Sequence, residues 1–218
     1  MTVVTRWWWI RHAKVDNPER RLYGQNDVKA ITDDPAPYAR LAPSLPGDAV
    51  WLSSHLSRTR DTAAALKPHM VALGHAVPEP LAHADLAEQD FGAWQGLNIQ
   101  DLKAQLGEDF DILWRDPGGA EPPGGESFAQ VIERVGRTIT LFSRQHAGRD
   151  IIAFAHGGSI RAALAVALKL EPSAALSFQI RNLSLTRIDH LVPGDPPAMG
   201  LRNPWQVHQV NHLHPDDD

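Results

Sequence analysis

Short apolar segments alternating with helical segments restrict the fold of this chain more than any other feature. Residues 3–10 are apolar, β-branched and aromatic, which is typical of a buried strand, and we expect their tryptophans to belong to the core. Residues 57–73 place apolar side chains at helical spacing. The same patterns predict strands at 49–53, 150–155, 183–188 and 205–210, and helices at 126–145 and 158–170. This alternation predicts an α/β fold with a mainly parallel central sheet flanked by helices.

The segments between these elements are less regular. Residues 33–46 are rich in proline and weakly periodic, so we expect a surface connection there. Residues 116–125 read DPGGAEPPGG, which predicts a loop, and the terminal DDD predicts a solvated tail. A length of 218 residues fits one domain, or one domain with an inserted cap, so we interpret 1–218 as a single domain.

Composition and charge exclude several classes of function. The net charge is -5 and the pI about 6.1, so we expect no general affinity for nucleic acid or an anionic membrane. The absence of cysteine excludes disulfides, thiolate nucleophiles and cysteine metal sites. The chain has no uncharged apolar run of about 18 residues, and the start MTVVTRWWWI is too short for a signal peptide. We expect a soluble, cytoplasmic protein.

Basic side chains follow successive predicted strands, where ligands of such sheets usually bind. Arg11 and His12 follow the first strand, Arg58 follows the second, and His156 follows the strand at 150–155. Two guanidinium groups suit the oxygens of a phosphoryl group, and a neutral imidazole can attack phosphorus. A second, protonated imidazole would stabilise the developing charge, and the Gly157-Gly158 pair would add backbone N–H donors. Together these residues indicate phosphoryl transfer.

Each of these residues also has an ordinary interpretation when it is taken alone. A single histidine after a strand is more often a rim residue than a catalytic one, and a single arginine in the first turn of a helix is usually solvated. His208, His212 and His214 match no standard metal-site spacing, so we interpret them as ordinary exposed side chains. Only the joint occurrence of basic residues at successive strand ends favours a catalytic site.

Several motifs resemble those of the histidine phosphatase superfamily, which has the phosphoglycerate mutase-like fold. In chain order they are I-R-H-A at 10–13, Y-G-Q-N-D-V at 23–28, S-S-H-L-S-R-T-R-D-T-A at 53–63, L-A-E-Q-D-F-G-A-W-Q-G at 86–96, P-P-G-G-E-S-F at 122–128 and A-H-G-G at 155–158. An R-H pair alone is a weak signal, but motifs in this order across most of the chain are specific. The spacing of the first two motifs and the P-P-G-G-E-S stretch look closest to α-ribazole phosphatases.

The resemblance implies a role for each of the principal residues. His12 would be the nucleophile that forms a phosphohistidine, and Arg11, Arg58 and His156 would form the phosphate pocket. Glu88 would protonate the leaving oxygen and then deprotonate the attacking water. Such enzymes are metal-independent, so we expect no metal and no cofactor. The further substrate-binding residues implied by the resemblance are Asn17, Tyr23, Gly24 and Gly157.

This chain departs from the family pattern around the pocket. Lys14 stands where many relatives carry Glu, His55 replaces a common Pro, and Asp61 replaces a common Gln. Pro18 stands where many relatives have Asn, and Asn17 lies one place earlier. These departures concern the choice of substrate rather than the phosphoryl chemistry.

The resemblance leaves three functions open. A phosphoglycerate mutase must hold a second acidic group, but the cap implied at about 98–125 contains only Lys103 and Arg115 against six acidic residues. This composition favours hydrolysis, and we therefore predict a phosphatase acting on a small phosphorylated metabolite, with α-ribazole phosphate as one candidate. Mutase-type transfer and a catalytically silent, phospho-ligand-binding protein are the alternatives. The sequence leaves a homodimer open.

Overall fold

A computed structural model describes residues 2–110, 115–192 and 203–213. The first strands are β1 (Val3–Arg11), β2 (Ala49–Ser53) and β3 (Leu81–Ala82), and they are followed by β4 (Asp150–Ala155), β5 (Leu185–Val192) and β6 (Trp205–His212). They form one sheet in the order β3-β2-β4-β1-β5-β6. The pairs β2–β3, β2–β4 and β1–β4 are parallel, whereas β5 is antiparallel to β1 and β6. The predicted α/β fold is therefore confirmed.

Helices cover both faces of this sheet. They are α1 (Ala36–Leu41), α2 (Ser57–Ala72), α3 (Ile99–Leu106), α4 (Phe128–Gln145), α5 (Gly157–Leu168) and α6 (Pro172–Ala175). One core cluster joins Trp7 and Trp9 of β1 to apolar residues of α4 and α5, and the other joins Ile10 to residues of α1 and α2. No helix in the described ranges is both long and apolar enough to cross a membrane.

The tryptophans of β1 show how the sheet divides the core. Trp7 and Trp9 are buried on one face and stack with ring centroids 5.2 Å apart. Trp8 points to the other face, is partly buried, and has the guanidinium of Arg187 4.7 Å from its ring centroid. The expectation that these residues belong to the core is confirmed for Trp7 and Trp9, because strand alternation sends every second side chain to the same face.

Residues 33–46 differ from their predicted irregular connection. They contain α1 and a 3-10 helix (Ala42–Ser44), and Tyr38 is buried with its ring stacked on His69 of α2. A six-residue helix beside several prolines is too short to show a helical period in the sequence.

Element ends shift by a few residues for local reasons. The helix predicted at 126–145 begins at Phe128 because Ser127 is its N-cap, with the side chain accepting from the Gln130 N–H. The strand predicted at 183–188 begins at Leu185, after Leu183 adopts a left-handed φ of 58°. The loop predicted at 116–125 is free of regular helix and strand.

The segment implied as a cap, 98–125, begins with α3, whose N-cap is Asn98. Leu102 and Phe110 pack with Trp94 in a third hydrophobic cluster, which is separate from the two that cover the sheet. Residues 111–114 lie outside the described ranges. A cap at 98–125 therefore stays a prediction.

The parallel strands fix the position of the site. Arg11 at the end of β1 pairs with Ala155 at the end of β4, and Ser53 at the end of β2 pairs with Phe154. The residues that follow these strands, including His12 and His156, therefore meet at the carboxyl edge of the sheet.

Candidate active site

His12 leaves β1 as a fully buried side chain with a defined tautomer. Its main-chain N–H donates to the Ala155 carbonyl at 3.0 Å, which ties it to β4. Its Nδ1 lies 2.7 Å from the Ala13 carbonyl oxygen. Because a carbonyl only accepts hydrogen bonds, Nδ1 carries the hydrogen and Nε2 presents a lone pair. Nε2 is buried and has no hydrogen-bond partner among the described residues.

The surroundings keep His12 neutral. Burial, followed by the charges of Arg11 and Arg58, lowers the pKa of His12 to about 3 from 6.5. A neutral imidazole at ordinary pH keeps its Nε2 lone pair, which is the form that can attack phosphorus.

His156 lies beside His12, with ring centroids 5.2 Å apart, at the N-cap of α5. Arg58 Nε donates to its Nδ1 at 3.2 Å, so the hydrogen is on Nε2, which donates to Ser54 Oγ at 2.8 Å. Burial and then the charge of Arg58 place the pKa of His156 well below 6.5. The protonated imidazole expected from the sequence is therefore neutral in the free site, since burial and nearby cations both oppose its charge.

Arg58 is fully buried in the first turn of α2 and is oriented by main-chain carbonyls. Its Nη2 donates to Gly24 at 2.6 Å and its Nη1 to Asn26 at 3.0 Å, while its guanidinium lies 4.9 Å from the ring centroid of Tyr23. Each Nη carries a second N–H that can face a ligand. The structure thus brings Tyr23 and Gly24 to the site as neighbours of Arg58, and their contact with substrate stays a prediction.

Arg11 approaches the pocket from the end of β1. Its Nη1 donates to the Ile180 carbonyl at 2.5 Å, and its Nε is buried without a partner among the described residues. Its Cζ lies 3.7 Å from the point that a Cβ on Gly157 would occupy. That distance is ordinary van der Waals contact, so the Arg11 guanidinium packs against the N-terminus of α5.

Glu88 reaches the same helix end from a loop. Its Oε1 accepts from the Gly158 N–H at 2.9 Å and from the Gln89 N–H at 3.0 Å. A Cβ on Gly158 would lie 2.1 Å from this oxygen, so the contact needs a glycine. The five residues predicted as catalytic, His12, Glu88, His156, Arg11 and Arg58, meet at one edge of the sheet.

The side chain of Asn17 forms hydrogen bonds with the backbone of Arg21. Its Nδ2 donates to the Arg21 carbonyl and its Oδ1 accepts from the Arg21 N–H, both at 2.9 Å. The amide thus closes its own turn, and its contact with substrate stays a prediction.

Sequence reasoning missed Arg134, which holds the loop of Glu88. Arg134 donates to the carbonyls of Asp85, Ala87 and Glu88 and forms two hydrogen bonds with the Glu126 carboxylate. The available signal was a charged residue beside Val135 on the buried stripe of an amphipathic helix.

Two more residues near the pocket were missed. Asn182 Nδ2 donates to the His12 carbonyl at 2.8 Å and to the Ala13 carbonyl at 3.3 Å. Arg161 lies one turn inside α5, with its Nη1 3.3 Å from the Cβ point on Gly157. Arg161 could have been found as the lone charge in the helix GGSIRAALAVAL, whereas nothing in the sequence distinguishes Asn182.

Within the described part of the chain, no three His, Asp or Glu side chains are grouped as a metal would require. His208 lies against Asp189, with Nε2 3.0 Å from Oδ2, and His214 is outside the described residues.

The family model described as histidine phosphatase superfamily (branch 1) matches residues 7–193, so this chain belongs to that superfamily. The family resemblance of the motifs is thereby confirmed. Among its curated relatives, the 2,3-bisphosphoglycerate-dependent phosphoglycerate mutase of Methylobacterium sp. (strain 4-46) is 33% identical over 119 residues. The match covers 54% of this chain and 56% of that mutase, so the chain spans about half the length of this relative.

Solved structures of similar fold include phosphatases. A mycobacterial glucosyl-3-phosphoglycerate phosphatase in complex with VO3 has a TM-score of 0.74 and 25% identity, over 94% of this chain and 98% of its own. A putative α-ribazole-5'-P phosphatase from Escherichia coli str. K-12 substr. MG1655 has a TM-score of 0.73 and 22% identity, over 95% of this chain and 96% of its own. The second likeness concerns the fold alone.

Proposed function

We propose that this chain is a phosphomonoesterase that hydrolyses a small phosphorylated metabolite through a phosphohistidine at Nε2 of His12. One observation carries the proposal. The Nδ1 hydrogen bond to Ala13 leaves a buried Nε2 lone pair without a partner among the described residues, on a ring that feels the charges of Arg11 and Arg58.

In the first step, Nε2 of His12 attacks phosphorus, and the bond between phosphorus and the ester oxygen breaks. Glu88 gives its proton to the leaving oxygen, since an alkoxide leaves poorly. Arg11 and Arg58 hold the equatorial oxygens by charge-assisted hydrogen bonds. The charge of the bound dianion also favours a proton from solvent on Nδ1 of His156, in place of the Arg58 Nε–H, and that N–H then donates to an equatorial oxygen while Nε2 keeps its hydrogen bond to Ser54.

In the second step, water attacks the phosphohistidine. Glu88, now a carboxylate, takes a proton from that water, and the bond between phosphorus and Nε2 breaks. The products are the alcohol and inorganic phosphate, and His12 returns to its neutral form. The Gly158 N–H, 2.9 Å from Glu88 Oε1, holds the carboxylate in place for both steps.

Hydrolysis of p-nitrophenyl phosphate in the presence of EDTA tests the proposal. We expect activity in the wild type, loss in His12→Ala, and an acid-labile phosphoenzyme only where His12 is present. His208→Ala, which changes an exposed histidine on the edge strand β6, is the matched control.

The other outcomes separate the alternatives. Activity lost on adding EDTA would indicate a metallohydrolase. Binding without turnover of a broad panel of monophosphates would indicate a silent binding protein. The mutase relatives make mutase-type transfer the second candidate, and it would appear as 2-phosphoglycerate formed from 3-phosphoglycerate in the presence of 2,3-bisphosphoglycerate. The panel includes α-ribazole phosphate, the candidate substrate from the sequence.

A further inference from the structure

The main chain of Ala13 sets the tautomer of His12. The Ala13 carbonyl oxygen lies 2.7 Å from Nδ1 of the His12 ring and accepts its hydrogen, and both residues are buried. In water a neutral imidazole favours hydrogen on Nε2, the nitrogen that has to attack phosphorus. The opposite tautomer therefore needs an acceptor fixed at Nδ1, so the nucleophile depends on what orients the Ala13 carbonyl.

Thr62 holds the N–H end of Ala13. It is fully buried in α2, one turn after Arg58. Its Oγ1 accepts from the Ala13 N–H at 2.9 Å and donates to the Arg58 carbonyl at 2.6 Å. The hydroxyl hydrogen is directed at Arg58, which leaves the lone pairs of the oxygen for Ala13. Thr62 thus ties the residue after the nucleophile to the helix that carries Arg58.

Asn182 holds the carbonyl end of Ala13. Its Nδ2 donates to the His12 carbonyl at 2.8 Å and to the Ala13 carbonyl at 3.3 Å. An amide nitrogen has two hydrogens, and a carbonyl oxygen has two lone pairs, so Ala13 can accept from Asn182 and from the His12 ring together. The Leu183 N–H donates to the Arg11 carbonyl at 3.0 Å, which fixes the turn that carries Asn182 to the end of β1.

We propose that Asn182 and Thr62 are positioning residues that keep the hydrogen of His12 on Nδ1 and thereby keep Nε2 nucleophilic. This role rests on the proposed phosphatase function and adds two residues that act through the main chain of Ala13. As Nε2 bonds to phosphorus, the ring becomes positively charged and its Nδ1 hydrogen bond strengthens. A carbonyl that is already oriented stabilises this charge without rearrangement.

Asn182→Ala and Thr62→Val remove the two sets of hydrogen bonds separately. We expect kcat/KM for p-nitrophenyl phosphate and for an alkyl phosphate to fall by the same factor, about 10- to 100-fold, because both esters need the same nucleophile. The rate of phosphoenzyme formation in rapid-quench experiments should fall with it. Thr62→Ser keeps the hydroxyl and should restore most of the activity.

Calorimetric binding of inorganic phosphate separates the nucleophile from the phosphate pocket. Asn182→Ala leaves the side chains of Arg11 and Arg58 in place, so the affinity for phosphate should change less than about threefold.

The ring nitrogens of His12 give a readout that needs no turnover. Nitrogen NMR of the histidine-labelled protein distinguishes a protonated from an unprotonated ring nitrogen, and the signals missing in His12→Gln assign this residue. The wild type should carry its hydrogen on Nδ1 with Nε2 unprotonated. In Asn182→Ala and Thr62→Val, the population with hydrogen on Nε2 should rise.

Asn203→Ala and Thr140→Val are the matched controls. Asn203 Nδ2 donates to the Ala167 carbonyl at 2.7 Å, and Thr140 Oγ1 donates to the Gly136 carbonyl at 2.8 Å. Each control removes the same kind of hydrogen bond at a position that does not contact the main chain of Ala13. Both should keep the activity and the wild-type tautomer of His12.

Thermal unfolding identifies variants that are merely unstable. Asn182 is only partly buried, so Asn182→Ala decides the question if Thr62→Val does not fold. A folded Asn182→Ala with the wild-type tautomer, or a loss of activity confined to alkyl phosphates, would overturn the positioning role. A wild type with the expected tautomer that forms no phosphoenzyme would contradict the phosphatase function instead.

Discussion

At the scale of single residues, the site depends on which nitrogen of His12 carries a proton. Ala13 accepts the Nδ1 hydrogen, and Asn182 donates to the same carbonyl. The sequence pattern brought His12 to a strand end and the family resemblance implied its role. Neither predicts the tautomer of His12. The tautomer depends on the position of the Ala13 carbonyl, which is known only from the folded backbone.

Glu88→Gln tests the proton donor. Glutamine keeps the acceptor for the Gly158 N–H but has no proton to give. We expect hydrolysis of an alkyl phosphate to slow by about 10²- to 10⁴-fold, and that of p-nitrophenyl phosphate, whose leaving group barely needs a proton, to change far less.

Asp90→Asn is the control for this substitution. It makes the same chemical change two residues away, at a side chain that accepts the Gly92 N–H in a turn. Equal losses on both esters in Glu88→Gln would show that Glu88 acts by some means other than proton transfer.

At the scale of elements, the N-terminus of α5 organises the pocket. Arg11 and Arg161 pack close to Gly157, and the Gly158 N–H holds the Glu88 carboxylate. The sequence predicted this helix opening and its N–H donors. It did not predict that a loop carboxylate would occupy one of them, because loop positions depend on contacts such as those of Arg134.

Gly158→Ala should impair proton donation by Glu88 without changing Glu88 itself. Its Cβ would lie 2.1 Å from Glu88 Oε1 and displace the carboxylate. We expect slower turnover of alkyl phosphates, with p-nitrophenyl phosphate hydrolysis largely kept. Steady-state rates on the two esters measure the effect.

Gly136→Ala in α4 is the helical control, because its Cβ would meet the Val166 side chain at 3.2 Å and no atom of the active site. Thermal unfolding of both variants separates a displaced carboxylate from a damaged fold. Unchanged alkyl phosphate turnover in a folded Gly158→Ala would contradict the assigned contact.

At the scale of the whole molecule, two buried neutral histidines couple folding to pH. The pKa of His12 falls to about 3 and that of His156 well below 6.5, so between these values and 6.5 the unfolded chain binds more protons. The contribution of these histidines to the free energy of unfolding should therefore be fully present above about pH 6.5. It should decline as the pH falls below that value.

Urea unfolding at pH 7 and pH 5 measures this decline. Each such histidine contributes about 1.4 kcal/mol per pH unit within the window, so His12→Gln should flatten the dependence by about that amount. His55→Gln makes the same change of side chain at an exposed position and is the control. A slope that His12→Gln leaves intact would mean that His12 titrates normally in the folded chain.

The architecture was predictable where the periodicity was long or the strands were buried. β1, β2 and β4 have runs of apolar residues, and α4 has a clear apolar stripe. The packing of Tyr38, a residue of α1, was not predictable, because it depends on a partner distant in sequence, His69.

β1 lies in the middle of the sheet, so the fold holds the nucleophile His12 more firmly than the proton donor Glu88. Arg11 exchanges hydrogen bonds with Leu183 and Ser184 on one side, and the His12 amide bonds to Ala155 on the other. Exposing His12 therefore requires parting the middle of the sheet, whereas displacing Glu88 requires only the loss of the Arg134 contacts to its loop, which we expect at a lower free energy. On warming, this molecule would lose the alignment of its acid before that of its imidazole, and would fail first on esters whose leaving group needs a proton.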